Sequence, residues 1–180
     1  MERVADWNVV VTAEARGYRS ARRWLARFGA VGATDYYNVL VMRVADVQGF
    51  CEALRRELVA DPDKVQGLGR VMPLSVTFRF QRVEEFEREA CRSIQPWVDR
   101  LRARRFHVRI HRRGFRGRLS SQHEELFLDH FLMAALAGDG SVIDFEDPDL
   151  IIALETVGQR GGMSCWDRAQ RERYGFLKLD

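Results

Sequence analysis

The sequence predicts a mixed α/β (α+β) chain made of two small units in tandem: a ferredoxin-like βαββαβ unit over residues 1–82, then a second α/β unit over residues 83–180. Three observations predict it. Short β-branched runs alternate with helical patterns, so neither an all-helical nor an all-strand chain fits. The alternation completes one βαββαβ cycle near residue 81 and then restarts with a helix. The length of 180 residues accommodates two units of about 90 residues each, and a hydrophobic content of 46% is enough to give both a core.

The elements follow in order. "WNVVVTAE", residues 7–14, is a compact β-branched strand. "GYRSARRWLARFG" places Ala21, Trp24, Leu25 and Phe28 at helical spacing, with Gly29 as a C′ stop. "YYNVLVMRV", residues 36–44, is a second strong strand, and residues 31–35 can pair with it through a tight turn. "DVQGFCEALRRELVADP" starts at an N-cap, Asp46, and carries one apolar face of Val47, Phe50, Leu54 and Leu58. "LSVTFRFQ", residues 74–81, alternates again and closes the first unit. In "VEEFEREACRSIQPWVDRLRA", residues 83–103, Pro96 divides a helical pattern into two short helices, because proline removes a donor and clashes with the preceding turn. "SSQHEELFLDHFLMAALAG" reads as a helix capped by Ser121, with Glu124 reaching back as a capping box and Leu128, Phe131, Leu132 and Leu136 facing inward. A strand over residues 150–157 follows the turn Asp147-Pro148-Asp149, and "GGMSCW" is the last strand.

Composition excludes several classes. No apolar run is long enough for a transmembrane helix and no basic-then-apolar leader is visible, so the expected location is the cytoplasm, away from membranes. Cys51, Cys91 and Cys165 are an odd number and far apart, which argues against a disulfide framework. Neither a nucleotide-hydrolase phosphate loop nor a dinucleotide fingerprint is present, and no cofactor is expected. The four histidines do not have metal-ligand spacing: His107 and His111 lie about 13 Å apart along a strand, and His123 and His130 are two helical turns apart.

Net charge is only +3, yet the positive charge is concentrated. "RRFHVRIHRRGFRGRLSSQ", residues 104–122, holds Arg104, Arg105, Arg109, Arg112, Arg113, Arg116 and Arg118 with no acid among them. Phe106, Val108 and Ile110 alternate through its middle. In a strand they share one face, worth about 2 kcal/mol each on burial. His107, Arg109, His111 and Arg113 share the other, about 7 Å apart. A buried strand is thus expected to mount a row of outward cations, and their mutual repulsion makes sense against a polyanion. Gly114 and Gly117 allow close backbone approach to phosphate, and Phe115 is an exposed aromatic suited to stacking on an unpaired base. Charge runs are often merely solvated surface; strict alternation and the missing acids favour binding here. RNA is expected rather than DNA, since no helix-turn-helix recognition helix is present.

From about residue 83 onward, the ordered pieces resemble the THUMP domain of RNA-modification proteins. "FHVRIHRRG" is similar to that family's first strand, "SSQHEELFLDHF" to its serine-capped helix, and "VIDFEDPDLIIALETV" to its strongest signature, with Ile143, Phe145, Pro148, Asp149 and Glu155 in the corresponding places. The tail "RERYGFLKLD" is similar to the ending of stand-alone members. In that family a ferredoxin-like domain precedes the THUMP unit, so the resemblance spans nearly the whole chain.

The resemblance implies tRNA as ligand, gripped at the acceptor end near the 3′ CCA. It also implies a modifying enzyme as partner; because the sequence stops at Asp180, that enzyme is expected to act in trans. The stand-alone adaptor of an RNA cytidine acetyltransferase is the nearest likeness. The expected RNA contacts are Arg104, Arg105, His107, Arg109, His111, Arg112, Arg113, Phe115, Arg116 and Arg118, with Pro148 and Asp149 setting the strand entry. The competing expectation is a small magnesium-dependent RNA-processing enzyme using Asp144, Glu146, Asp147 and Asp149.

Overall fold

The computed structural model describes residues 4–179, apart from the side chains of residues 64–66. The outermost positions of the two expected domains, Met1–Arg3 and Asp180, lie outside the described residues. Contacts divide the chain into one unit of residues up to 74 together with 171–178, and another of residues 75–170 with Leu179. Among the described residues no helix is long and apolar enough to cross a membrane.

The first unit runs β1 (Val9–Ala13), α1 (Tyr18–Leu25), β2 (Ala30–Ala33), β3 (Val39–Arg43), α2 (Val47–Ala60), a 3₁₀ turn (Pro62–Gly67) and β4 (Leu68–Pro73). The sheet order is β2-β3-β1-β4 and every neighbouring pair is antiparallel. β1 is central, so Val9, Val10 and Val11 are buried on both faces, which accounts for its unbroken β-branched run. Asp46 caps α2 by accepting the Gln48 N–H at 3.0 Å, and Phe50, Cys51 and Leu54 are buried. Helix α1 ends at Leu25, short of Gly29. Gly29 serves a different need: a Cβ there would lie 2.3 Å from the Arg43 carbonyl oxygen, so only glycine lets β2 begin this close to β3. The C-terminal segment closes the unit, with Tyr174, Phe176 and Leu177 buried and the Val71 N–H donating to the Phe176 carbonyl at 2.9 Å.

One strand differs from the sequence expectation. Residues 74–81 do not close the first sheet. Leu68–Pro73, a segment without clear alternation, takes that place beside β1, and Val76–Arg79 forms β5 at the edge of the second sheet, antiparallel to the strand Arg160–Asp167. Alternation identifies a strand but not its partner, because pairing is decided by non-local contacts.

The second unit continues with α3 (Val83–Ile94), a 3₁₀ turn (Gln95–Trp97), α4 (Val98–Leu101), β6 (Arg105–Arg113), α5 (Ser121–Ala135), β7 (Val142–Ile143), β8 (Leu150–Val157) and β9 (Arg160–Asp167); α6 (Arg168–Arg173) follows in the chain and is divided between the two units. The helix break falls at Pro96 as expected. The sheet order is β5-β9-β8-β6-β7, with β6 parallel to both neighbours and the remaining pairs antiparallel. Phe86, Ala90 and Ile94 of α3 and Leu128 and Leu132 of α5 pack over Phe106, Val108, Ile110, Ile152 and Leu154 to form the core. β7 pairs only with Arg105 and Phe106, leaving the rest of that β6 edge open. Helix α5 closes it: Asp129 accepts the Val108 N–H at 3.1 Å and Glu125 accepts the Ile110 N–H at 2.7 Å. One helical turn spans about 5.4 Å and two strand residues about 6.7 Å, so carboxylates four residues apart match donors two residues apart.

The helix start also differs by one residue. Ser120, not Ser121, is the N-cap, accepting the His123 N–H at 3.3 Å. Glu124 then falls one position too late to close a capping box and is buried instead.

Candidate nucleic-acid interface

β6 is placed where its alternation predicts. Phe106, Val108 and Ile110 are at most 5% exposed and anchor the strand in the core. The opposite side is not the open row of cations that parity alone implies. Alternation assigns a side of the sheet, whereas exposure depends on what lies over it. Here neighbouring side chains on that side, Ile151, Ala153 and Trp166, are buried as well.

Two arginines of the row have their charge met internally. Arg113 pairs with Glu155, whose carboxylate is fully buried on β8, and His111 Nδ1 lies 3.8 Å from the other oxygen of the same carboxylate. Arg105 binds Asp147 at 2.6 Å and Asp149 at 3.2 Å, with Asp144 at 3.9 Å. These hydrogen bonds raise the Arg105 pKa further and keep it a fixed cation. His107 is buried, its Nδ1 2.9 Å from the Asp144 carbonyl and its ring stacked on Phe145 at 5.1 Å. Arg113, Arg105 and His107 therefore act first as parts of the fold, which corrects the expectation of an uncompensated row.

The turn after β6 revises two further expectations. Phe115 is half-buried, not exposed, and packs on Phe80 at 5.0 Å. Arg112 bonds to the Gly114 carbonyl, and its Nε is buried without a hydrogen-bond partner among the described residues. Gly114 and Gly117 have φ of 103° and 75°, so the left-handed turn itself requires them.

Arg104, Arg109, Arg116 and Arg118 remain exposed, and among the described residues none of them forms an ion pair with an acid. Arg118 lies over the Phe115 ring at 5.1 Å, which restrains it without cancelling its charge. The sequence reading also passed over a second set. Arg16, Arg19, Arg22 and Arg23 cluster around α1 without acidic partners among the described residues, and Tyr18, Arg19, Arg22 and Arg23 line one surface cleft. The signal was present in "YRSARRWLAR": arginines recur on the helix face opposite Ala21 and Leu25.

Three of the four loop carboxylates expected for magnesium, Asp144, Asp147 and Asp149, are engaged within the fold, and Glu146 is exposed. Asp144 accepts the Glu146 and Asp147 N–H groups at 2.9 and 3.0 Å. Asp147 is shared by Arg105 and Arg168, and Asp149 accepts the Arg105 N–H at 3.0 Å and both guanidinium groups. Hydrogen bonds from Arg168 and Arg105 hold Asp147 below the usual carboxylate range, and backbone N–H groups do the same for Asp144 and, chiefly, Asp149. The loop is a clasp at the start of β6 and β8, in keeping with the strand-entry role expected of Pro148 and Asp149.

No family model and no curated protein matches the sequence. Solved structures do match its fold. PH1313 from Pyrococcus horikoshii OT3 aligns over 88% of this chain and 54% of its own, with a TM-score of 0.60 and 12% identity. TrmN from Thermus thermophilus aligns over 87% and 44%, with a TM-score of 0.58 and 14% identity. A 4-thiouridine synthetase solved with RNA and bound ATP aligns over 88% and 41%, with a TM-score of 0.53 and 12% identity. The chain thus has the mixed α/β fold of a part of these larger proteins and spans about half of their length or less.

Proposed function

We propose that this chain is a THUMP-type RNA-binding protein, with a ferredoxin-like first domain, that holds tRNA for a modifying enzyme acting in trans and performs no chemistry itself. The observation that carries the reading is the set of exposed guanidinium groups without acidic partners among the described residues, Arg104, Arg109, Arg116 and Arg118, mounted on or beside a strand locked into the core. The α1 arginines add a second cationic surface. The fold supports the reading, since one structural neighbour was solved in complex with RNA. The βαββαβ order and antiparallel 2-3-1-4 sheet of the first unit support it too. The tRNA acceptor end with its 3′ CCA as ligand, and a cytidine acetyltransferase as the enzyme served, are the finer parts of the proposal and rest on the family resemblance. The nuclease alternative loses support because Asp144, Asp147 and Asp149, three of its four carboxylates, are engaged by Arg105, Arg168 and backbone N–H groups.

Filter binding of the pure protein to tRNA across a salt series tests the reading. The expected result is saturable binding that weakens steeply with salt, without cleavage in magnesium, and weaker binding to tRNA lacking the CCA end. Equal affinity for trimmed tRNA removes the acceptor-end part; absence of salt-dependent binding removes the whole.

A further inference from the structure

The one-residue shift of the α5 cap releases a carboxylate. With Ser120 serving the cap, Glu124 closes the first turn, 1% exposed, and its Oε2 is buried without a hydrogen-bond partner among the described residues. Native proteins seldom leave a buried carboxylate oxygen unserved, because lost hydration is not repaid. Two other groups stand beside it. Glu87 on α3 is half-buried and His123 is exposed, and one ligand atom from each of Glu87, His123 and Glu124 lies within 4.8 Å of the other two.

We propose that Glu87, His123 and Glu124 form a binding site for a divalent transition-metal ion of the zinc class, joining α3 to the start of α5. The donor set is two carboxylate oxygens and one imidazole nitrogen. Imidazole disfavours magnesium and calcium, which take oxygen ligands, and suits a borderline cation such as zinc. Zinc–ligand bonds of about 2.0–2.2 Å set tetrahedral donors about 3.4 Å apart, inside the 4.8 Å that bounds their separation here. Glu124 is buried, whereas Glu87 is half-buried and His123 exposed. Three protein donors leave a coordination position for water, so the site is an open one.

Electrostatics point the same way. Glu124 is buried beside the half-buried Glu87 carboxylate, so its negative charge lacks compensation. A cation would offset the repulsion between the two glutamates. His123 and Glu124 stand in the first turn of α5, where the positive end of the helix dipole opposes a cation, so the two carboxylate charges must outweigh it. The site is on the helix-covered side of the sheet, with α3 and α5, whereas Arg109 is on the opposite side of β6. It is therefore separated from Arg109 by the sheet, and its role is to staple two helices.

Calorimetric titration of the full chain with zinc chloride in chelator-treated buffer tests this. The expected result is a saturable site of about one equivalent, a thermal midpoint raised by several degrees with zinc, and little response to magnesium. His123→Ala and Glu124→Gln should each weaken zinc binding at least tenfold, while His130→Ala, on the same helix, should not. Glu124→Gln should match or exceed the wild-type midpoint without metal, since it removes a buried charge. If that variant fails to fold, the exposed His123→Ala carries the test. Absence of saturable binding at millimolar zinc, or zinc binding unchanged in His123→Ala, overturns the proposal; the second outcome would locate the ion elsewhere.

Discussion

Arg113 on β6 and Glu155 on the adjacent parallel strand β8 form an ion pair whose carboxylate is fully buried. Removing one partner of such a pair strands a charge in the interior. Arg113→Met is therefore expected to cost about 3–5 kcal/mol, read as a lower urea midpoint, and Arg113→Met with Glu155→Met should recover most of the loss. If the single variant is as stable as wild type, the pair is not carrying that charge.

Arg109 is exposed and without an ion-pair partner among the described residues, so reversing its charge should affect binding and not folding. Arg109→Glu with Arg116→Glu is expected to lower tRNA affinity at least tenfold and to flatten the salt dependence, with an unchanged melting midpoint. Wild-type affinity in a filter-binding series would move the RNA contacts off this surface.

Phe115 rests on Phe80 and so belongs to the packing of the turn. Phe115→Ala should destabilise by about 2 kcal/mol, below the full core value because the ring is half-buried, while leaving tRNA affinity within twofold. A stable variant with a large loss of affinity would restore the base-stacking role.

Asp129 gives a pH signature. Burial, aided by the nearby Glu125 charge, raises its pKa from an ordinary 3.8 to about 7 in the fold, against the Val108 N–H, which lowers it. The folded state therefore holds the proton more tightly than the unfolded state does. Its contribution to stability is complete below about pH 4, is lost as pH rises toward 7, and is level above that. Asp129→Asn keeps an oxygen for the Val108 N–H and removes the ionisation. The variant should melt higher than wild type at pH 8 and lose that advantage by pH 4. Parallel melting curves across this range would contradict the assignment.

Val108 is fully buried, so Val108→Asp places an unpaired charge in the core and should unfold the second unit. A native melting curve would refute the strand register.

Periodicity by itself determined most of the strands and helices, though not β4 or β7, and which side of β6 enters the core: Phe106, Val108 and Ile110 can turn inward together only on a two-residue repeat. The Asp46 cap, the break at Pro96 and β8 at Leu150–Val157 were equally legible, because each depends on neighbours in the chain. Only the tertiary structure decided that residues 76–79 pair with β9, that Glu155 and the 147–149 loop neutralise Arg113 and Arg105, and that Phe115 lies against Phe80. The physical reason is separation along the chain. Glu155 is 42 residues from Arg113, and no local pattern says that an acid so distant will reach the one arginine and leave Arg109 unpaired.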